Sequence, residues 1–336
     1  MRKVNAMRKI EVLLVGFGNI GRLIGKYVGE HGGVVCAVVD SDPSLWGEKA
    51  FGVTVGGDLA AALKESAPDI AVVSVGSRLL DVLTLIETCL LHGVNTITTS
   101  EEALYPYGTD PATAAALDAL ARANRCTLTA SGFQDCFWVH SVTAFAASVS
   151  RIDRISGKLR YDIDEYGAAL AADHGVGLTV AEFEERMNGP AAYSYIENSV
   201  ELLAERLGWG AVSMIRRSTP YVYHEDLYSV ALGETIPKGR VVGSSTVVIT
   251  ETACGGAIEA ECVGKIYTAG DHDLCRWTLT GEPSLTFEAC SPKTPEHTAA
   301  AIVNRIPQVI REKPGYVTID KLPPAEYLTF PMFLYL

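Results

Sequence analysis

The sequence has few positive charges, and they do not cluster. Its 336 residues carry 28 Lys and Arg against 40 Asp and Glu, which gives a net charge of −12, and no basic run is longer than a pair. Nucleic acids and anionic membrane surfaces are bound by clustered Lys and Arg. We therefore expect neither a nucleic acid nor a membrane as a partner.

Long apolar runs and metal-binding spacings are missing as well. No stretch approaches the ~18 apolar residues of a membrane span, and the apolar run VLLV near the start is too short for a signal peptide. None of the eight cysteines forms a Cys-x-x-Cys pair, and His and Cys do not cluster at ligand spacing. These absences predict free thiols in a reducing cytoplasm and no metal site.

The pattern of polar and apolar residues changes near residue 150. Before it, short apolar segments alternate with amphipathic ones, which is typical of a parallel sheet covered by helices on both faces. After it come long extended segments such as RWTLTG, which alternates polar and apolar residues as a one-faced antiparallel strand does. Another helix starts near Thr294. We expect an α/β fold with three parts: a doubly wound domain (1–135), an inserted α+β domain on a mostly antiparallel sheet (136–293) and a C-terminal segment (294–336) returning to the first.

The clearest motif follows the first predicted strand. VLLVGFGNIG has the G-x-G-x-x-G spacing directly after a strand and at the start of a helix, which is typical of a Rossmann dinucleotide site. Glycine makes the tight turn and lets the backbone approach a pyrophosphate, to which the helix start offers N–H donors. The candidate cofactor residues of this loop are Gly16, Phe17, Gly18, Asn19, Ile20 and Gly21.

An acidic residue follows the second predicted strand. Asp40 comes 19 residues after Gly21, near the ~20 expected for the carboxylate that binds the adenosine ribose hydroxyls. Such a carboxylate repels a 2′-phosphate, so NAD is favoured. NADP stays open, because Ser41 could contact a phosphate if Asp40 turned aside. Asp40 is also a good turn former before Pro43.

Two adjacent glutamates follow a later strand. Glu101 and Glu102 come after the buried strand near 94–99, and Pro106 ends the next turn. Ligands of open α/β sheets bind beyond the carboxyl ends of the strands, so we expect at least one glutamate to act there as a proton acceptor. A structural alternative is open for one of them, since an acid in a first helical turn suits the helix dipole. The same edge supplies further cofactor candidates: Val75, Gly76, Ser77 and Ser100.

Six segments carry a family resemblance: GFGNIG, TTSEEALYP, GFQDCFW, YDIDEYG, RWTLTGEPSL and AAAIVNRIPQVI. In this order they resemble the 2,4-diaminopentanoate dehydrogenases and the native amine dehydrogenases, and the layout is more distantly similar to dihydrodipicolinate reductase. The resemblance implies reductive amination of a carbonyl compound with ammonia, or the reverse reaction, using NAD(P)H. It assigns the catalytic acid to Glu101, with Glu102 as the second choice.

The resemblance also implies pocket residues. Phe133 and Trp138 would form an apolar wall of the pocket for a small carbonyl substrate. Thr298 and Asn304 would lie near the nicotinamide. Core packing is the alternative for the two aromatic residues, and Asn304 equally fits a role in fixing the returning helix. The remaining substrate candidates are Tyr161, Tyr166 and His272.

The sequence alone decides neither which substrate the protein takes nor how many copies assemble. A substrate carboxylate would need an Arg partner, and Arg160, Arg276 and Arg305 are the candidates. If none serves, the substrate is a ketone or aldehyde without a carboxylate; if one does, 2,4-diaminopentanoate becomes the better fit. A cyclic-imine reductase and a non-catalytic NAD-sensing protein are two further alternatives. We also expect the long strands of the second domain to leave an apolar sheet face that joins a homodimer.

Overall fold

The computed structural model describes residues 9–189, 192 and 194–336. It contains two compact units: one is formed by the described residues up to Cys136 together with Glu296–Leu336, the other by Phe137–Pro295. The predicted division of the chain into domains at 1–135, 136–293 and 294–336 stays a prediction.

The strands, in chain order, are β1 (Glu11–Val15), β2 (Val34–Val39), β3 (Lys49–Ala50), β4 (Val53–Gly56), β5 (Ile70–Val73), β6 (Asn95–Thr98), β7 (Thr127–Ala130), β8 (Arg151–Asp162), β9 (Ala211–Val222), β10 (Leu227–Ser229), β11 (Glu234–Ile236), β12 (Val241–Thr252), β13 (Ala257–Lys265), β14 (Leu274–Glu282), β15 (Leu285–Cys290) and β16 (Gly315–Tyr316). The helices are α1 (Asn19–Glu30), α2 (Leu59–Ser66), α3 (Leu79–Leu91), α4 (Pro111–Ala123), α5 (Ser141–Ala146), α6 (Ala168–Asp173), α7 (Val180–Asn188), α8 (Tyr195–Arg206) and α9 (Thr294–Arg311). A π-helical segment covers Asp135–His140.

The first unit is built on one sheet with strand order β16-β7-β6-β5-β1-β2-β4-β3. Its strands pair in parallel, except for the short β3–β4 hairpin. The chain runs outward from β1 in one direction through β2 and in the other through β5, so the strand order reverses between β1 and β5. A crevice at such a reversal is where open α/β sheets bind ligands.

Two helix starts have capping side chains. The Asp110 side chain accepts a hydrogen bond from the Thr113 N–H, and Pro111 occupies the first turn of α4. Thr179 and Glu182 form the capping box of α7. Both features supply partners for N–H groups that an α-helix leaves unsatisfied.

The C-terminal helix belongs to the core of the first unit. α9 contributes Ile302, Val303 and Ile306 to the cluster that also contains Val12 and Leu14 of β1. Burying each such side chain stabilises the fold by about 1.5–3 kcal/mol.

A fully buried ion pair also fixes this helix. The Arg305 Nη2 lies 2.5 Å and 2.7 Å from the two carboxylate oxygens of Asp135, and its Nε donates to the same carboxylate at 3.0 Å. Neither side chain is exposed to solvent. Ser131 donates a further hydrogen bond of 2.6 Å to Asp135, and the Arg305 Nη1 donates to Gln308 and to the Pro323 carbonyl. The pair therefore joins the end of β7, α9 and the segment at Pro323.

The second unit contains a six-stranded sheet of order β15-β14-β8-β13-β12-β9. Its pairs are antiparallel except β8 with β13, which run in parallel. Together with the parallel sheet of the first unit, this arrangement confirms the predicted fold class.

The open face of this sheet has two parts: it is charged along β8, β13, β14 and β15, and it carries exposed apolar side chains on β9 and β12. Cross-strand ion pairs run along it, formed by Arg154 with Glu259, by Lys158 with Glu261 and by Arg276 with Glu288. The strand registers place these side chains on one face. The exposed apolar side chains on this face of β9 and β12 include Ile215, Tyr221 and Ile249. The alternation of buried and exposed side chains along these strands was predicted correctly. The sequence did not show that charged side chains would occupy the solvent-facing positions.

The opposite face buries a chain of polar groups. The Tyr161 hydroxyl lies 2.6 Å from the His174 Nε2 and 2.7 Å from the Tyr195 hydroxyl, and the His174 Nδ1 lies 2.8 Å from the Ser244 Oγ. Gly264 leaves room for the imidazole ring, because a Cβ at this position would lie 2.5 Å from the ring atoms. Burial lowers the pKa of His174 to about 4, so the ring is neutral at pH 7.

Short elements were missed by sequence reading. The β3–β4 and β10–β11 hairpins and the six-residue α6 are too brief for periodicity to distinguish them from loops. None of the helices in the described part of the chain is long and apolar enough to cross a membrane.

Breaking the buried ion pair should be costly. Arg305→Met should lower the free energy of unfolding by about 3–5 kcal/mol, because Asp135 then stays buried and charged without its partner. Asp135→Leu/Arg305→Met should regain most of the loss, since no buried charge remains. Urea titrations followed by circular dichroism measure both values. Arg276→Met, which removes an exposed pair, is the control and should shift the midpoint little; an equal shift would contradict the argument.

His174 should make the fold sensitive to acid. Its native pKa of about 4 lies below the ~6.5 of an unfolded histidine, so the unfolded chain binds the proton first. The stabilisation is present above pH 6.5 and is lost as the pH falls towards 4, and between pH 7 and pH 5 the loss amounts to about 2 kcal/mol. Denaturant titrations of His174→Gln should show a correspondingly smaller loss over this range. The exposed His224 provides the control, since His224→Gln should follow the parent; a His174→Gln variant that does so too would refute the assignment.

Candidate active site

The glycine loop lies at the strand reversal between β1 and β5. Gly16 has φ of +98°, and a Cβ there would lie 2.5 Å from the Ser74 carbonyl oxygen. A Cβ on Gly21 would lie 2.1 Å from the Gly16 carbonyl oxygen, whereas one on Gly18 would meet nothing within 4 Å. Gly16 and Gly21 are thus required by packing, and Gly18 leaves an open approach to the backbone.

The start of α1 offers uncapped N–H groups. Gly18 is its N-cap and provides no side-chain hydrogen bond. Asn19 is exposed, whereas the Phe17 side chain is buried in the core, and Ile20 packs against the same core. Backbone donors and the positive end of the helix dipole are the groups that bind a pyrophosphate, so this loop fits a dinucleotide.

Asp40 faces the glycine loop. Its Oδ2 accepts a hydrogen bond of 2.6 Å from the Phe17 N–H, and its Oδ1 accepts one of 2.8 Å from the Asp42 N–H. A carboxylate has about four acceptor positions, so capacity for ribose hydroxyls remains. Ser41 is exposed beside it.

The loops after β5 and β6 are tied together. The Ser77 carbonyl accepts hydrogen bonds from the Ser100 hydroxyl at 2.8 Å and from the Glu102 N–H at 3.1 Å. Val75 is about half exposed on this edge, and Gly76 follows it. The structure therefore brings the candidate cofactor residues of both strand ends together.

The two glutamates lie at the start of a short turn, and Glu102 contacts the beginning of α3. The Glu102 Oε2 accepts a hydrogen bond of 2.8 Å from the Leu79 N–H, the first N–H of α3, and the N-cap Arg78 gives that helix no side-chain cap. Glu102 thus stabilises the start of α3. Glu101 is partly buried and precedes the short 3₁₀ turn Glu102–Leu104.

The turn that carries Glu101 is held from both sides. The Leu104 N–H donates to the Glu101 carbonyl at 3.1 Å. The buried Tyr316 hydroxyl donates to the Ala103 carbonyl, and Pro106 is buried where the turn ends. These contacts fix the backbone at Glu101.

The candidate pocket residues divide between the two units. Phe133 is buried in the first unit, with its ring centroid 6.4 Å from that of His297, and Thr298 lies beside Gly132. Trp138 is buried in the second unit and packs edge-on against Trp277 at 5.1 Å.

The other substrate candidates all belong to the second unit. Tyr161 takes part in the buried polar chain, and its ring lies 5.3 Å from that of Tyr166. His272 is exposed, and its carbonyl accepts a hydrogen bond from Arg160 at 2.8 Å. The cofactor candidate Asn304 lies in the first unit and accepts a long hydrogen bond of 3.4 Å from the Leu328 N–H, which connects α9 to the C-terminal segment.

All three arginines considered for a substrate carboxylate have partners. Arg305 binds Asp135, Arg276 binds Glu288, and Arg160 binds the backbone carbonyl and ring of His272. Sequence reading could not foresee the Arg305 pair, because 170 positions separate its members and no local spacing links them. It also missed Arg22 and Glu48, which lie near Asp40.

Comparisons with known proteins agree with the motifs. The family model of the 2,4-diaminopentanoate dehydrogenase C-terminal domain matches residues 139–330. The 2,4-diaminopentanoate dehydrogenase of Acetoanaerobium sticklandii is 23% identical over 339 residues and is covered, like this chain, to 94%.

Solved structures extend this result. The amine dehydrogenase from Mycobacterium smegmatis has a TM-score of 0.92 and 34% identity, over 95% of this chain and 98% of that one. The dipicolinate-bound dihydrodipicolinate reductase from Paenisporosarcina sp. TG-14 has a TM-score of 0.55 and 14% identity, over 94% of this chain and 100% of that one, and shows the fold alone. The resemblance read from the motifs is confirmed: this chain belongs to the 2,4-diaminopentanoate dehydrogenase family of oxidoreductases, together with the mycobacterial amine dehydrogenase.

Proposed function

We propose that the protein is an NAD(P)-dependent amine dehydrogenase, which reductively aminates a small ketone or aldehyde with ammonia and runs the reverse oxidation of the amine. The family and the dinucleotide-binding geometry support this activity. The observation that carries the proposal is the division between the two glutamates. Glu102 caps α3. Glu101 is partly buried at the same strand edge, on a turn whose backbone is held by Leu104 and Tyr316, and we propose it as the acid for the chemistry.

Glu101 would serve the substrate nitrogen. When bound, the nicotinamide cofactor supplies the hydride for reduction or accepts it in the reverse direction. The Glu101 carboxylate attracts the ammonium or iminium cation. It takes a proton from the nitrogen as ammonia adds to the carbonyl carbon, and it returns this proton to the hydroxyl of the carbinolamine, which leaves as water. A neutral or cationic base would lack this attraction for a positively charged nitrogen.

We propose a substrate without a carboxylate. The three arginines considered for such a group are bound to Asp135, to Glu288 and to His272. A ketone or aldehyde needs no cationic partner, whereas 2,4-diaminopentanoate and the dicarboxylate substrates of a cyclic-imine reductase would need one. Of the three, Arg305 is fully buried with its partner, and Arg276 lies on the exposed face of the second unit's sheet; on these placements we propose the simpler carbonyl compounds.

The cofactor preference is proposed to be NAD over NADP. The Asp40 carboxylate is hydrogen-bonded to the Phe17 N–H of the glycine loop, where its negative charge favours ribose hydroxyls over a 2′-phosphate. We also propose a cytoplasmic location, since all eight cysteines are free thiols, as is usual in a reducing compartment. Recovery of the protein in a secreted fraction after cell fractionation would argue against this location.

A homodimer is proposed through the open face of the second unit's sheet. Ile215 and Ile249 are neighbours on adjacent strands and are exposed. In a dimer they would pack against the partner's sheet, and the charged residues of the same face would form ion pairs with it. Light scattering at micromolar concentration should give about twice the 36.0 kDa chain mass. A monomer mass would refute the proposal.

The two glutamates provide the sharpest test. Glu101→Gln should lower the amination rate by about a hundredfold or more, because a general base contributes ~10²–10⁴-fold and the attraction for the cationic nitrogen is lost as well. NADH binding, followed by fluorescence, should change little.

Glu102→Gln is the matched control. Its amide oxygen can still accept the Leu79 N–H, so the variant should keep most of the amination rate and lose at most about 1 kcal/mol of stability. An inactive Glu102→Gln beside an active Glu101→Gln would mean that the roles are reversed. Full activity of both variants would refute the mechanism.

A further inference from the structure

A second charged pair lies beside the glycine loop. The Arg22 Nη1 and Nη2 lie 2.8 Å and 3.1 Å from the Glu48 Oε1 and Oε2. The guanidinium also stacks on the Phe17 ring, 3.8 Å from its centroid. Both charged side chains are substantially exposed, at 44% and 39%, so the pair is in contact with solvent.

The stacking connects Arg22 to Asp40. The Arg22 guanidinium stacks on the Phe17 ring, and the Phe17 backbone N–H donates a hydrogen bond of 2.6 Å to the Asp40 Oδ2. Glu48 and, more weakly, Asp40 raise the pKa of Arg22, so both carboxylates act on the same cation. A cation thus lies next to the carboxylate that is proposed to bind the adenosine ribose.

Glu48 uses the donors that a phosphate would use. Two parallel N–H donors of arginine match the oxygens of a carboxylate or a phosphate equally well in geometry. An exposed ion pair is weak because water screens it, whereas a phosphate dianion carries more charge than a carboxylate. The contact with Glu48 is therefore one that a phosphate can replace.

We propose that Arg22 is the cation that binds the 2′-phosphate of NADP, and that Glu48 competes with this phosphate for the guanidinium. The inference rests on the proposed dinucleotide function of the first unit. It makes the Arg22–Glu48 pair, together with Asp40, the element that sets the coenzyme preference. Asp40 repels the 2′-phosphate, Arg22 attracts it, and Glu48 determines how much of that attraction is available.

Binding of the adenosine half of the cofactor tests this directly. Adenosine 2′,5′-bisphosphate and adenosine 5′-monophosphate differ only in the 2′-phosphate, and calorimetric titration gives their affinities without turnover. Glu48→Gln should tighten the bisphosphate about tenfold, as expected for one charge-assisted contact, and leave the monophosphate within about twofold. Arg22→Gln in the Glu48→Gln background should cancel the whole gain.

Lys26→Gln is the matched control. Lys26 is one turn further along α1 and pairs with Glu30 at 3.8 Å, so this variant removes the same charge without touching the Arg22–Glu48 contact. It should leave the ratio of the two affinities unchanged. Fluorescence titrations with NADPH and NADH should reproduce the same order for the whole cofactors.

Two results would overturn the inference. One is a Glu48→Gln variant with the parent's ratio of affinities. The other is a Lys26→Gln variant that changes the ratio as much as Arg22→Gln does, since this would reduce the effect to distant charge. If the parent binds neither NADH nor NADPH in the fluorescence titrations, the dinucleotide function itself is refuted and the inference falls with it; binding of NADH with an unchanged ratio of affinities refutes the inference alone.

Discussion

Arg305 and Asp135 meet where no water reaches them, and much of the first unit depends on this contact. Burying two charges is tolerated only when their hydrogen-bonding groups are satisfied, and here Ser131, Gln308 and the Pro323 carbonyl complete the network. The end of β7 and the C-terminal helix are thereby held in one arrangement. Phe133 and Thr298 lie on these two elements, so the ion pair also fixes the candidate substrate residues of this unit.

The carboxyl edge of the parallel sheet combines two demands on acidic residues. The first N–H groups of α3 need an acceptor, and Glu102 provides it from 23 positions away. The substrate nitrogen needs a carboxylate, for which Glu101 is proposed. A pair of adjacent glutamates satisfies both demands in one turn, and Tyr316 and Pro106 keep that turn in place.

Local signals in the sequence predicted most of the fold. The glycine spacing, the Asp110 cap and the Thr179–Glu182 box each act within a few residues, so one sequence suffices to recognise them. Partners distant in the chain were not predictable: nothing near Asp135 points to Arg305, and nothing near Glu102 points to Leu79. The cross-strand ion pairs of the second unit were not predictable for a similar reason, because one sequence does not give the strand register that brings Arg154 near Glu259 and Arg276 near Glu288.

The central claim is that this chain joins ammonia to a carbonyl compound that lacks a carboxylate. NADH oxidation with cyclohexanone or a small aldehyde, measured with and without ammonium, tests it most directly. We expect NADH oxidation that requires ammonium and that is faster with these compounds than with a keto acid of similar size. Oxidation that is independent of ammonium, or that occurs only with the keto acid, would contradict it.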